Sequence, residues 1–246
     1  MKTNQIISVI IVISVWVFGI SCQGTQKTGE EGESGKQINA TENVEVEEEE
    51  EEEEEVIFNF DQDSEGTLPL EWTSAKTGKG GLGNWVVVKD DSAPSKPHAL
   101  AQMSKENLGY HFSVAVADKT NYSDVEIELM FKAVDGQEDQ GGGPVWRYVD
   151  ADNYYICRAN PLESNYRVYK VVDGNRKQLQ SANLTIPSNQ WHKIEVENVG
   201  NHIKCWLNGA LLLDVEDDTF TQGKVGLWTK ADAVTYFDDF EVEAEN

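Results

Sequence analysis

From residue 56 onward the chain is a succession of short apolar runs, in which β-branched and aromatic residues alternate with polar ones, broken by Gly, Asp and Asn. Alternation with a period of two marks a strand with one buried face, and no long window holds the 3.6-residue apolar period of a helix laid on a core. The pattern predicts strands over 56–60, 85–88, 110–117, 125–131, 145–149, 154–159, 166–172, 192–196, 203–207, 211–215, 225–229 and 234–242. Regularly spaced short strands without helices predict an all-β fold, a two-sheet antiparallel β-sandwich or jelly roll. No second change of composition follows, so residues 57–246 are expected to form one domain.

Two turns set local register. Asp150-Ala151-Asp152-Asn153 joins 145–149 to 154–159, and Asn208-Gly209, a favoured type I′ dipeptide, joins 202–207 to 210–214. Alternation in the first hairpin puts Trp146, Tyr148, Tyr155, Cys157 and Ala159 on one face, read as core, and Arg147, Tyr154, Ile156, Arg158 and Asn160 on the other.

The N-terminus follows a different rule. Lys2 precedes an apolar run from Ile6 to Phe18, interrupted only by Ser8 and Ser14, and small residues lead into Cys22. The run is shorter than the ~20 apolar residues a membrane span requires, so residues 1–22 are expected to be a cleaved export signal. Phe18-Gly19-Ile20-Ser21-Cys22 resembles a bacterial lipobox, with Gly19 where Leu is usual. The resemblance implies acylation of Cys22, anchorage to the cell envelope and, with Gln23 following, retention at the outer membrane.

Residues 23–56 carry 14 Glu against Lys27 and Lys36 and have little to bury, so they are expected to be a disordered acidic tether and spacer. The whole chain has a formal net charge of −24, from 44 acidic and 20 basic residues, which excludes the basic surface a nucleic-acid partner needs.

Asn189-Gln190-Trp191-His192-Lys193-Ile194-Glu195-Val196, Ile203-Lys204-Cys205-Trp206-Leu207-Asn208-Gly209, Gly223-Lys224-Val225-Gly226-Leu227-Trp228 and Phe237-Asp238-Asp239-Phe240 resemble the C-terminal half of concanavalin A-like (laminin-G-like) jelly rolls. Within that superfamily the chain resembles 3-keto-disaccharide hydrolase-type domains, near family 16 glycoside hydrolases. Gly142-Gly143-Pro144-Val145-Trp146-Arg147-Tyr148 and Asp152-Asn153-Tyr154-Tyr155 resemble their central hairpin, and Phe58-Asn59-Phe60-Asp61 with Leu68-Pro69 the first strand. The resemblance implies a jelly roll and a carbohydrate partner. It also implies a structural calcium near Asp61 or Asp63 and Asp238-Asp239, and, as the alternative to binding alone, a glycan-active hydrolase.

The residues themselves give little catalysis. Family 16 enzymes carry an acidic array on one strand; Glu126-Ile127-Glu128 lacks the central Asp and the third acid and reads as solvent-facing strand carboxylates. Tyr155 stands near where enzyme-like relatives carry an acid. The four His are scattered, and Cys157 and Cys205 have no Cys-x-x-Cys partner, which leaves buried thiols or a disulfide. Arg147, Tyr154, Arg158 and Asn160, with Arg167 and Tyr169 on the next strand, combine aromatic faces with fixed donors, as a sugar site does. The same arginines could instead pair with Glu163 or Asp150. Trp146 and Trp206 read as core, and Trp228 is open between core and stacking platform.

Overall fold

The computed structural model describes residues 55–245. The export signal, Cys22 and the tether through residue 54 lie outside the described residues. Fifteen strands follow one another: β1 (Val56–Phe58), β2 (Trp72–Gly78), β3 (Trp85–Lys89), β4 (His98–Gln102), β5 (His111–Ala117), β6 (Val125–Asp135), β7 (Gly142–Asp150), β8 (Asn153–Asn160), β9 (Asn165–Val172), β10 (Asn175–Asn183), β11 (His192–Val199), β12 (His202–Leu207), β13 (Ala210–Glu216), β14 (Lys224–Lys230) and β15 (Val234–Ala244). They form two antiparallel sheets, the expected all-β sandwich. The first has the order β13-β12-β11-β6-β15-β4-β3, with β1 also paired to β15, and the second β10-β9-β8-β7-β14-β5-β2.

The core between the sheets holds Trp146, Tyr155, Cys157, Ala159, Tyr166, Phe131, Phe237 and Phe240, and β6 and β11 alternate into it. The first sheet therefore has one wet face. The second sheet departs from that pattern: β5 is buried at every position and β8 at all but its first. Its outer face carries a second apolar cluster of Phe112, Val114, Val116, Val145, Tyr154, Ile156, Tyr169, Val171 and Trp228. Strands covered on both faces lose the polar alternation.

Curvature closes this second cluster. Thr77 on edge strand β2 lies 2.6 Å from the Tyr154 hydroxyl on β8 and donates to the Ala151 carbonyl in the β7–β8 turn. Four strand spacings separate β2 from β8, about 19 Å in a flat sheet at ~4.8 Å per strand. The sheet must therefore curl toward its outer face. Tyr110, just before β5, donates from its hydroxyl to Gly174 O at 2.6 Å, tying the β9–β10 turn across the same face.

The Asn208-Gly209 turn has φ of 51° and 77°, as a type I′ turn requires. The β7–β8 hairpin departs from simple alternation. A bulge lies between Trp146 and Asp150, with Arg147 at φ 44°. By Asp150 β7 has gained two residues on β8, but by Tyr148 it has gained one on β14, and one extra residue reverses the face. Tyr148, read as core, stacks on Tyr154 at 5.7 Å in the outer cluster, and Arg147 leaves that face. Trp146 is core as expected, whereas Trp206 is half-buried on β12 and outside the core cluster.

Candidate functional site

Directly paired residues of antiparallel strands share a face, so the register defines the outer surface of the second sheet. One row runs Ser181, Arg167, Arg158 across β10, β9 and β8, and is continued by Trp228 on β14, which pairs Gly143. Gly143 must stay bare, because a Cβ there would stand 2.1 Å from the Cys157 carbonyl oxygen. The next row runs Gln178, Tyr169, Ile156, and the third Arg176, Val171, Tyr154.

Arg158, Asn160, Arg167 and Tyr169 of the sequence-predicted group converge here. Arg158 is 1% exposed and donates to Asp139 (3.3 Å), Glu163 (2.7 Å) and Asn165 (3.1 Å). Asp139, itself buried, also accepts from Lys230 Nζ (2.8 Å), Asn160 Nδ2 (3.0 Å) and Gly141 N (2.6 Å). Glu163 accepts from Arg167 at 3.2 Å and Asn165 Nδ2 at 3.0 Å. Partial burial works against its ionisation, but the Asn165 hydrogen bond and the Arg158 and Arg167 charges prevail and hold its carboxyl down to about 2. Such a group is an acceptor, not a proton donor, at neutral pH.

The aromatic part adjoins this network. Tyr169 has the Arg158 guanidinium 5.7 Å and that of Arg176 4.5 Å from its ring centre, and Arg176 also lies 4.8 Å from Phe112 and 5.6 Å from Trp228. Tyr154 is fully buried beneath the face, and burial raises its phenol well above the usual range. Arg147 does not join the group. Turned by the bulge, it donates to Ser123 O (2.8 Å), Phe220 O (2.8 Å) and Asp124 (3.1 Å), at a surface depression that also includes Gly200 and Asp218.

The sequence reading missed Asp139, Asn165, Lys230 and Arg176, and left Trp228 open. Arg176 was within reach: placing a hairpin turn at Asp173-Gly174 puts it opposite Val171, on the Tyr154 face. Asp139 stands in a loop, where no periodicity applies.

The remaining candidates lie elsewhere. Asp238 is buried, accepts from Ser95 Oγ (2.7 Å) and Ser95 N (3.0 Å), and is pushed up to about 7, chiefly by burial. Asp61 Oδ1 accepts from His98 N at 3.0 Å. Both carboxylates fasten the 90–98 loop, and among the described residues no group of three or more His, Cys, Asp or Glu side chains is placed to hold a metal. Glu126 and Glu128 face outward on the first sheet. Tyr155 points into the core, stacked on Trp146 at 5.6 Å with its hydroxyl on Asp217 (2.6 Å). Cys157 and Cys205 are buried free thiols.

Fold and face together define a concanavalin A-like jelly roll whose second sheet is curled over an aromatic and arginine-bearing outer surface. The sequence model of the 3-keto-alpha-glucoside-1,2-lyase-like domain matches residues 53–243, and the chain belongs to that family. Among solved structures, the carbohydrate-binding module CBM66 from Bacillus subtilis superposes with a TM-score of 0.57 at 20% identity, over 70% of this chain and 94% of that one. A Bacillus subtilis protein of unknown function with a galectin-like fold gives 0.50 at 12% identity, over 78% and 100%. These likenesses establish the shared fold. No curated protein matches the chain.

Proposed function

We propose that this domain binds carbohydrate on the outer face of its second sheet. The observation that carries the reading is a curled face on which the part-exposed Arg167 and Glu163 are set among the buried Arg158, Asn160, Tyr169 and Trp228, in a family named for glucoside chemistry. A few fixed donors and acceptors converging on a curved surface are what sugar hydroxyls require. The fold shared with a carbohydrate-binding module is consistent with it. Glu163, ionised at all ordinary pH values, suits an acceptor of sugar hydroxyls better than a general acid, which needs a raised pKa.

Purified full chain on a glycan array, with and without calcium, tests the reading. Saturable binding is expected, and Arg167→Ala, at a side chain 29% exposed, should weaken it about tenfold without lowering stability. Arg158→Ala is the poorer test, because it strips Asp139 and Glu163 of a buried counter-charge. Absence of binding to any glycan would overturn the proposal. The family match favours a second reading, cleavage of a keto-sugar glycoside, and product release from such glycosides on incubation with the chain would establish it.

The lipobox-like start further supports export and acylation at Cys22, with residues 23–56 spacing the domain from an envelope membrane. Labelled fatty acid should enter the chain and be absent from Cys22→Ser; equal labelling of both would refute the anchor.

A further inference from the structure

The cations of the outer face are unequally matched. Arg158, Arg167 and Lys230 share two carboxylates, Asp139 and Glu163. The neighbouring Asp232 is occupied by the backbone N–H groups of Gln137, Glu138 and Asp139 at 2.9–3.0 Å. Arg176 makes no ion pair with a carboxylate among the described residues, and Asp139 acts on it only from a distance. Its guanidinium rests on the rings of Phe112, Tyr169 and Trp228, and its Nη1 is buried without a hydrogen-bond partner, as is Arg158 Nε on the other side of Tyr169. Burial draws the Arg176 pKa down, and the nearby Tyr169 and Asp139 offset this only in part.

An uncompensated arginine is unexpected here. Residues 57–246 carry 30 acidic against 17 basic side chains, so counter-charges are abundant, yet none stands at Arg176. Its backbone is held in place: the N–H donates at 2.9 Å to the Tyr110 hydroxyl, which itself donates to Gly174 O. Tyr110 is 43% exposed and packs 4.8 Å from Phe112, so a solvent-facing ring adjoins the guanidinium. Arg176 as a whole is half-buried, so part of its side chain stays open to solvent although Nη1 does not.

The geometry points to a carboxylated saccharide as the ligand, its sugar ring against Tyr110 and its carboxylate on Arg176. The inference rests on the carbohydrate-binding reading and narrows it to acidic sugars. A guanidinium offers paired N–H donors that match the two oxygens of a carboxylate, and a pre-stacked guanidinium loses little freedom in making that contact. A neutral sugar would leave the charge unanswered.

The test is calorimetric titration of the full chain with galacturonate, glucuronate and sialate oligosaccharides and with their uncharged methyl esters. At least one acid is expected to bind, its ester at least tenfold more weakly, with the acid's affinity falling as salt is raised. Arg176→Gln should lower affinity for the acid about tenfold and leave the ester unchanged, whereas Tyr110→Ala should weaken both alike. If Arg176→Gln lowers the melting temperature, Arg176→Lys, which keeps the charge without the fork, must give an intermediate affinity. Equal binding of acid and ester, binding confined to neutral glycans, or an unaffected Arg176→Gln overturns the acidic-sugar assignment and leaves carbohydrate binding standing. Failure of every saccharide to bind overturns both.

Discussion

The two outer faces of the sandwich handle charge in opposite ways. On the first sheet, register brings six glutamates into two rows across three strands: Glu195, Glu128 and Glu241 in one, and Glu197, Glu126 and Glu243 in the other. Lys193 reaches Glu128 and Glu195 and Lys204 reaches Glu197, and the surface stays wet. Repulsion there is dispersed into solvent. On the second sheet the carboxylates are few and each held by several donors, Asp139 buried and Glu163 partly exposed, and the excess charge is positive and lies on aromatic rings. Exposed like charges cost little in water, whereas a buried ion demands a specific partner. Mutations on the two faces should therefore differ in kind as well as in size.

The largest difference should come from Asp139→Ala. It leaves Arg158 short of a partner and strands Lys230, Asn160 and the Gly141 N–H, and breaking a buried charge network in this way costs about 3–5 kcal/mol. At ~2–4 °C per kcal/mol for a domain of this size, the melting temperature should fall by roughly 6–20 °C. Glu128→Gln, which removes a half-exposed carboxylate from the other face, should cost less than about 1 kcal/mol. Equal losses in thermal melts would remove the contrast.

Next in size is Gly143→Ala. Its Cβ would collide with the Cys157 carbonyl, a backbone atom that can move only with β8, so a penalty of about 1–3 kcal/mol is expected. Displacement of β8 would also disturb Arg158, so glycan affinity should fall with stability. A fully stable Gly143→Ala that has lost binding would mean that the row is read wrongly and that Gly143 borders the ligand directly.

The contrast also explains which parts of the structure were legible in the sequence. All of the first sheet but β4 was, because one wet face preserves alternation, as in β6 and β11, and so were the five central strands of the second. Three strands escaped notice for identifiable reasons. β2 and β10 are polar edge strands, and β4, His-Ala-Leu-Ala-Gln, is built from small residues with weak strand preference. Five of the six predicted ligand residues do share a face, Tyr154 fully buried beneath it, because β8 and β9 pair without a shift. Arg147 and Tyr148 were misplaced by a bulge that leaves no compositional trace. Asp139 and Lys230 join through tertiary folding alone, and the charge of a loop residue does not disclose its partner.

The smallest effect is the one that reports most directly on the acidic face. Partial burial first, then repulsion among neighbouring carboxyls, including Glu245 for one and Glu55 for the other, raises Glu126 and Glu241 to about 7 from an ordinary 4.5. Over that interval the folded chain binds more protons than the unfolded one, so these groups stabilise the fold at low pH and that contribution is lost as pH rises through about 7. Glu163 acts in the opposite sense. Held at about 2, it contributes stability above its unfolded value that is lost as pH falls toward 2, outside the same window. Both glutamates of the acidic face are partly exposed, so solvent screening should hold each to less than about 1 kcal/mol. Melting temperature in low salt should therefore decline gently between pH 5 and pH 8. Glu126→Gln combined with Glu241→Gln should flatten the decline, leaving pH 5 almost unchanged and raising stability at pH 8. An unaltered slope in the double variant would mean that the rows of glutamates are fully screened by water and that their repulsion plays no part in the stability of the fold.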